Sequence, residues 1–238
     1  MIIYPACDLI NGQCVRLYKG DYNEMKVYNN DPPAQAEKFK KLGATHLHIV
    51  DLDGAKKGEP VNHEMIAEMK KRSGLFCEVG GGIRKIADIE RYVSMGIDRV
   101  ILGTAVTNSK HQIAEEAVAK FGKKIAVSVD VKDGYVAVKG WTKNSPNKLV
   151  SFLDRLVNYG VKTVIVTDIS KDGALKGPNH DMYKEISEKY DLDLIASGGV
   201  TTVEDVISLK EAGMAGAIIG KAYYEGMVDL KKCLEAAK

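Results

Sequence analysis

Val79-Gly80-Gly81-Gly82-Ile83 and, 117 residues further on, Ala196-Ser197-Gly198-Gly199-Val200 are the stretches on which the reading of the fold turns. Each is a short apolar run broken by paired glycines, and each belongs to a longer recurrence. Asp51, Gly82 and Gly103 return as Asp168, Gly199 and Gly220 at that same offset, while Asp8 with Asn11-Gly12 returns as Asp130 with Asp133-Gly134 at an offset of 122. Strand-like runs end near Asp8, Asp51, Gly80, Leu102, Asp130, Asp168, Ser197 and Ile219. Both Asp51–Gly80–Leu102 and Asp168–Ser197–Ile219 are spaced by 29 and then 22 residues.

Between these runs lie amphipathic stretches such as Ile113/Ala114/Ala117/Val118/Phe121 and Leu149/Phe152/Leu153/Leu156/Val157, spaced three and four apart as one helix face requires. Gly43, Gly74, Gly96, Gly122, Gly160 and Gly213 fall just past such stretches, where a helix commonly ends in a left-handed cap. Strand and helix alternating this often imply a parallel sheet. An open doubly wound sheet would alternate as well, but two similar four-unit halves close naturally into eight strands. No Gly-x-Gly-x-x-Gly follows the first strand, and Gly220-Lys221 lacks the remainder of a P-loop. The expected fold is α/β: a single (βα)8 TIM barrel over residues 1–238, with half-barrel repeats at about 1–122 and 123–238.

Composition narrows the function classes. Lys+Arg 34 against Asp+Glu 32 leaves a net charge of +2, and the Lys70-Lys71-Arg72 run reads as a solvated helix end that suits the dipole, so a nucleic-acid partner is not expected. No apolar run approaches membrane length and the N-terminus holds no signal-like segment, so a cytoplasmic protein with no membrane partner is expected. Cys7, Cys14, Cys77 and Cys233 have no metal-binding spacing. They are expected to be small buried residues in a reducing compartment.

In barrels of this kind the chemistry sits at the carboxyl ends of the strands. Asp8 and Asp130 end strands one and five, which are diametrically opposed, and paired carboxylates suit proton transfer as base and acid. Gly81-Gly82 with Gly103-Thr104, and Gly198-Gly199 with Gly220-Lys221, form two glycine clusters in register. Glycine lets backbone N–H groups approach an anion closely, so two phosphate sites on opposite sides of the mouth are expected. Asp172-Gly173 and Asp53-Gly54 mark loops that could fold over a ligand, and Trp141 after Gly140 is placed to stack as a lid on a flat ring. His46 and His48 share a strand face; His48 either reaches the ligand or is a satisfied core histidine. Neither has the carboxylate spacing of a metal ligand, and no metal site is expected.

These residues also spell a family. Pro5-Ala6-Cys7-Asp8-Leu9, Val15-Arg16-Leu17, Val50-Asp51-Leu52-Asp53-Gly54-Ala55, Val79-Gly80-Gly81-Gly82-Ile83-Arg84, Gly140-Trp141, Thr167-Asp168-Ile169, Lys171-Asp172-Gly173 and Ser197-Gly198-Gly199-Val200 resemble the ProFAR isomerases of histidine biosynthesis, over essentially the whole chain. Cys7 and Lys221 stand where Ile or Leu and Arg are more usual. The resemblance implies an Amadori rearrangement of an aldose-amine bearing a phosphoribosyl group at each end. Asp8 would be the base at the sugar C2 and Asp130 the acid assisting ring opening, with Thr167 and Arg16 holding substrate. It implies no cofactor and a bis-phosphorylated small molecule as the partner; a monomer is the default expectation because no extra apolar segment projects from the barrel. Related alternatives are the cyclase subunit of imidazole-glycerol-phosphate synthase, and a dual-function isomerase that also takes phosphoribosylanthranilate. Against the cyclase stand Arg16, Gly103-Thr104-Ala105 and Gly140-Trp141; against the dual enzyme stands Lys143, where an arginine is usual. A catalytically silent phosphosugar-binding barrel is the alternative from another class, disfavoured by the two aspartates.

Overall fold

The apolar runs are strands, and they close into a ring. The computed structural model describes residues 1–18, 20–107, 113–138 and 143–238. Its strands are β1 (Ile2–Ile10), β2 (Gln13–Tyr18), β3 (Asp21–Asn29), β4 (His46–Asp51), β5 (Phe76–Gly80), β6 (Arg99–Leu102), β7 (Ile125–Lys132), β8 (Tyr135–Val138), β9 (Lys143–Lys148), β10 (Thr163–Asp168), β11 (Asp193–Ser197) and β12 (Gly216–Ile219). Eight of them, β1-β4-β5-β6-β7-β10-β11-β12, pair in parallel, and β12 returns to β1. Helices fill the crossovers, as a closed parallel sheet needs on its outer face.

Six strand ends fall where the sequence puts them: Asp51, Gly80, Leu102, Asp168, Ser197 and Ile219. The other two overrun. β1 continues to Ile10 and β7 to Lys132, because each turns back into an antiparallel partner, β2 and β8. Asn11-Gly12 (φ 50° and 70°) and Asp133-Gly134 (φ 51° and 78°) make these turns, with positive φ at both central positions as a tight right-twisted hairpin demands. The stretches that follow strands one and five of the ring are therefore hairpins, β2–β3 and β8–β9.

Both amphipathic stretches are helical, at Ile113–Phe121 and Leu149–Asn158. In the second, Leu149, Phe152, Leu153 and Leu156 are buried against the ring, each worth about 1.5–3 kcal/mol relative to exposure. Val157 faces solvent at 45 % exposure, one position off the buried stripe. The basic run closes the helix His63–Ser73, but it is more than a solvated end: Lys70 pairs with Asp98 at 2.6 Å and Arg72 with Glu37 at 2.7 Å. Inside the ring a second layer, Tyr4, Ala6, Ile101, Ala126, Ile165, Ile195 and Ile218, packs the barrel axis.

The cysteine expectation is corrected in part. Cys77 and Cys233 are buried free thiols, whereas Cys7 and Cys14 form a disulfide. They lie on the paired strands β1 and β2, Cys14 opposite Leu9, and the hairpin brings their Cα atoms to 5.6 Å, within bridging reach. Their sequence separation of 7 carries no hint of this, since the pairing depends on where the turn falls. No helix among the described residues is long and apolar enough to cross a membrane.

Candidate active site

A cavity of about 360 Å³ opens at the carboxyl ends of the ring strands. Asp8 on β1 and Asp130 on β7 both line it. These strands stand four steps apart around the ring in either direction, so the two carboxyl groups come from opposite walls. Thr167, beside Asp130 in the strand register, lines the same space, as does His48 on β4. The two histidines differ in their packing. His48 faces the cavity, and His46 packs against Tyr4 and Phe76, with ring centroids 5.1 and 4.7 Å apart.

Arg16 reaches Asp8 from β2: Nη1 donates to Oδ2 at 2.7 Å, with both side chains 15 % exposed. Its guanidinium carbon lies 5.7 Å from the Tyr224 ring centroid, and the group lies against Gly220, where an added Cβ would come within 2.3 Å of Nη2. Among the described residues Nε and Nη2 have no hydrogen-bond partner. Burial works against the guanidinium charge, but Asp8, Tyr224 and Asp172 outweigh it and raise the pKa. Asp172 responds in the opposite sense for a carboxyl: burial and Asp8 push its pKa up, while Arg16, Lys221 and the Gly173 amide hold it back.

The glycine clusters occupy equivalent places in the two halves, and the structure gives them a reason that involves no ligand. A Cβ on Gly81 would sit 2.1 Å from the Asp51 carbonyl oxygen, and one on Gly198 would sit 2.8 Å from that of Asp168. Gly82 and Gly199 press on the carbonyls of Gly54 and Gly177 in the same way, at 2.5 and 2.4 Å. All four have φ between 74° and 108°. Backbone lies on backbone here, and only glycine fits.

Buried carboxylates at equivalent strand ends hold these layers. Asp51 accepts from the amides of Gly54, Val61 and Asn62 and from Asn62 Nδ2, all within 2.9 Å. Asp168 accepts from Ser170 N, Ser170 Oγ and Asn179 Nδ2 at 2.9, 2.6 and 2.7 Å. Asp53-Gly54 is consequently no loose loop. It belongs to the helix Leu52–Lys57, and Asp53 accepts from Asn11 N and Asn62 Nδ2. Lys221 Nζ donates to the Gly173 carbonyl at 3.0 Å, tying the loop after β10 to the one after β12.

Gly81, Gly82, Gly103 and Thr104 line one side of the cavity. Asp172, Gly173, Gly198, Gly199, Gly220 and Lys221 line the other. Trp141 lies outside the described residues, as does the Lys143 side chain. The residues that sequence reading missed are Tyr22, Arg84, Ser128 and Leu175 on the wall, and Glu78 beside His48. Glu78 alone carried a signal, a lone carboxylate inside the apolar run Phe76-Cys77-Glu78-Val79.

Opposed carboxylates over a polar cavity, flanked by twin glycine turns at one mouth of a closed parallel barrel, are the layout of a (βα)8-barrel enzyme. The model of the histidine biosynthesis protein family matches residues 2–229, and this chain belongs to that family. Similar proteins include one of Ruminiclostridium cellulolyticum, 45% identical over 99% of this chain and 100% of its own length, and one of Listeria innocua, 48% identical over 99% and 98%. Another, of Acetivibrio thermocellus, is 42% identical over the full length of both chains. Each is a 1-(5-phosphoribosyl)-5-((5-phosphoribosylamino)methylideneamino)imidazole-4-carboxamide isomerase.

Proposed function

We propose that this chain is the isomerase of histidine biosynthesis that converts ProFAR, the bis-phosphoribosyl imidazole carboxamide, from its aminoaldose to its aminoketose form. The observation that carries the mechanism is the opposition of Asp8 and Asp130 across one cavity. As acid, Asp130 gives a proton to the ribose ring oxygen while the C1–O bond breaks, leaving a protonated imine at C1. As base, Asp8 takes the proton from C2, and the C–H electron pair neutralises the imine to give an enolamine that tautomerises to the ketose. Protons move within one molecule, so the scheme needs no cofactor or metal.

The two phosphates belong in the two glycine-lined ends, where backbone N–H groups free of side-chain bulk can approach an anion closely. Arg16 and Thr167 hold the reacting sugar between the carboxylates. A bis-phosphorylated small molecule as sole partner, a monomeric state and a cytoplasmic location are parts of the same proposal. The full-length likeness to isomerases of that name supports this reading over the cyclase. Incubating the purified chain with ProFAR and following the ketose product tests it, and absence of turnover by protein with a native melting transition overturns it.

A further inference from the structure

Beneath the cavity a carboxylate is buried where an aliphatic side chain would serve the fold. Glu78 on β5 has no exposed surface. Oε1 lies 2.7 Å from His48 Nδ1, and Oε2 accepts from Arg99 Nη1 at 3.1 Å. That same Nη1 lies 3.3 Å from the Tyr4 hydroxyl, and the Arg99 guanidinium carbon lies 5.1 Å from the Phe76 ring centroid. Around them the interior of the ring is apolar, with Ile101, Ile165, Ile195 and Ile218. A charge taken into such surroundings is costly unless it is paired, and an ion pair there is seldom a gain over well-packed hydrophobic residues.

The second half of the barrel provides the comparison. His48 lies beside Glu78 in the register of β4 and β5, and Glu78 beside Arg99 in that of β5 and β6. At the offset of 117 residues the same neighbours are Ile165 beside Ile195, and Ile195 beside Gly216. The equivalent strands therefore pair and pack without any of the three polar groups, and the fold gives no reason for Glu78. The cavity does. His48 lines it, and sits beside Ala6 in the register, two positions below the Asp8–Val50 pair.

We propose that Glu78 is a positioning residue for the isomerase reaction, holding His48 so that the imidazole Nε2 meets a substrate hydroxyl on the cavity floor. The inference rests on the isomerase reading above. A carboxylate only accepts, so the ring hydrogen belongs on Nδ1 and the bare Nε2 turns to the substrate as an acceptor. Arg99 occupies the other carboxylate oxygen, which keeps Glu78 from swinging away from the ring. One hydrogen bond thus fixes the tautomer and the ring plane together, as a carboxylate behind an imidazole commonly does.

The test is a double-mutant cycle with Glu78→Gln and His48→Asn in the full chain, read as kcat/KM on ProFAR beside melting curves. Glu78→Gln is expected to lower kcat/KM about tenfold or more, the usual scale for a partner behind a working imidazole. The double variant is expected to match His48→Asn within about twofold, because Glu78 then has nothing to position. Losses that multiply, or a Glu78→Gln enzyme with wild-type kcat/KM, overturn the proposal.

Long-range 1H–15N spectra of the ligand-free protein give a readout that a merely structural glutamate would not move. Wild type is expected to show His48 protonated at Nδ1 alone, and Glu78→Gln a mixture of tautomers. An Nε2–H tautomer in the wild type, or no change in the variant, is the overturning result. If Glu78→Gln alone does not fold because Arg99 has lost its counter-ion, Glu78→Gln/Arg99→Met carries the same cycle. Should the wild type not turn over ProFAR, the isomerase reading fails by itself and the spectra decide whether Glu78 orders His48.

Discussion

Nη1 of Arg16 donates to Oδ2 of Asp8 at 2.7 Å, which places a guanidinium from β2 directly on the proposed base of β1. Arg16 also lies against Gly220, so the cation joins that carboxylate to one of the two expected phosphate ends. Substitution of the carboxylates is the first consequence to measure.

Asp8→Asn and Asp130→Asn should each lower kcat by at least ~10²-fold, the scale of a positioned acid or base. Both side chains border the cavity and pack no core, so circular dichroism and melting should show folded protein. Near wild-type turnover by either folded variant removes that residue from the mechanism.

Two phosphate-sized anions should bind at opposite ends of the mouth, one at Gly81-Gly82 and Gly103-Thr104, the other at Gly198-Gly199 and Gly220-Lys221. A ligand-bound crystal structure checks this. A single phosphate contacted by these segments would contradict it.

Gly82→Ala and Gly96→Ala should differ although both glycines have positive φ, 74° and 83°. At Gly82 the new methyl would sit 2.5 Å from the Gly54 carbonyl oxygen, while at Gly96 nothing lies within 4 Å. Gly96→Ala should therefore cost only the left-handed backbone term, about 1–2 kcal/mol. Gly82→Ala should cost a further 1–3 kcal/mol or so for overpacking. Equal denaturant midpoints for the two variants would show that the stacked turns yield easily.

Acid should unfold the protein in part through His46. Burial lowers its pKa below 6.5, with Glu78 and Asp98 opposing and Arg99 assisting. The folded state thus favours the neutral ring, and its contribution to stability is present above pH 6.5 and lost as the pH falls toward the depressed folded value. His46→Phe keeps an aromatic ring against Tyr4 and Phe76 and should lose less melting temperature between pH 7 and pH 5 than wild type. Parallel losses in the two proteins would clear His46 of the effect.

ProFAR should be strongly preferred to phosphoribosylanthranilate, which presents the same reacting sugar but no second phosphate. Amide donors built for that phosphate stay unpaired with the smaller substrate, and unmet polar groups can cost 10⁴-fold or so in selectivity. Lys143, where a dual-function enzyme has an arginine, offers no flat two-pronged fork to a carboxylate. Values of kcat/KM within about tenfold, roughly 1.4 kcal/mol, would show an enzyme that accepts both substrates.

The sequence by itself determined the ring of strands and the end of it at which the candidate residues gather. An offset of 117 residues carries Asp51, Gly82 and Gly103 onto Asp168, Gly199 and Gly220, and six strand ends fall on the residues read as ends, because burial and turn chemistry are written locally. Tertiary structure alone decided what crosses between strands. Cys7 meets Cys14, and Arg16 meets Asp8, only because β1 folds back on β2. Glu78 became more than an oddity in an apolar run once β4 and β6 set His48 and Arg99 on either side of it. The glycine turns were legible as glycine, but one cause of them was not: the carbonyls of Asp51 and Asp168 that exclude a side chain there belong to neighbouring strands, and no local pattern announces a contact made 30 residues away.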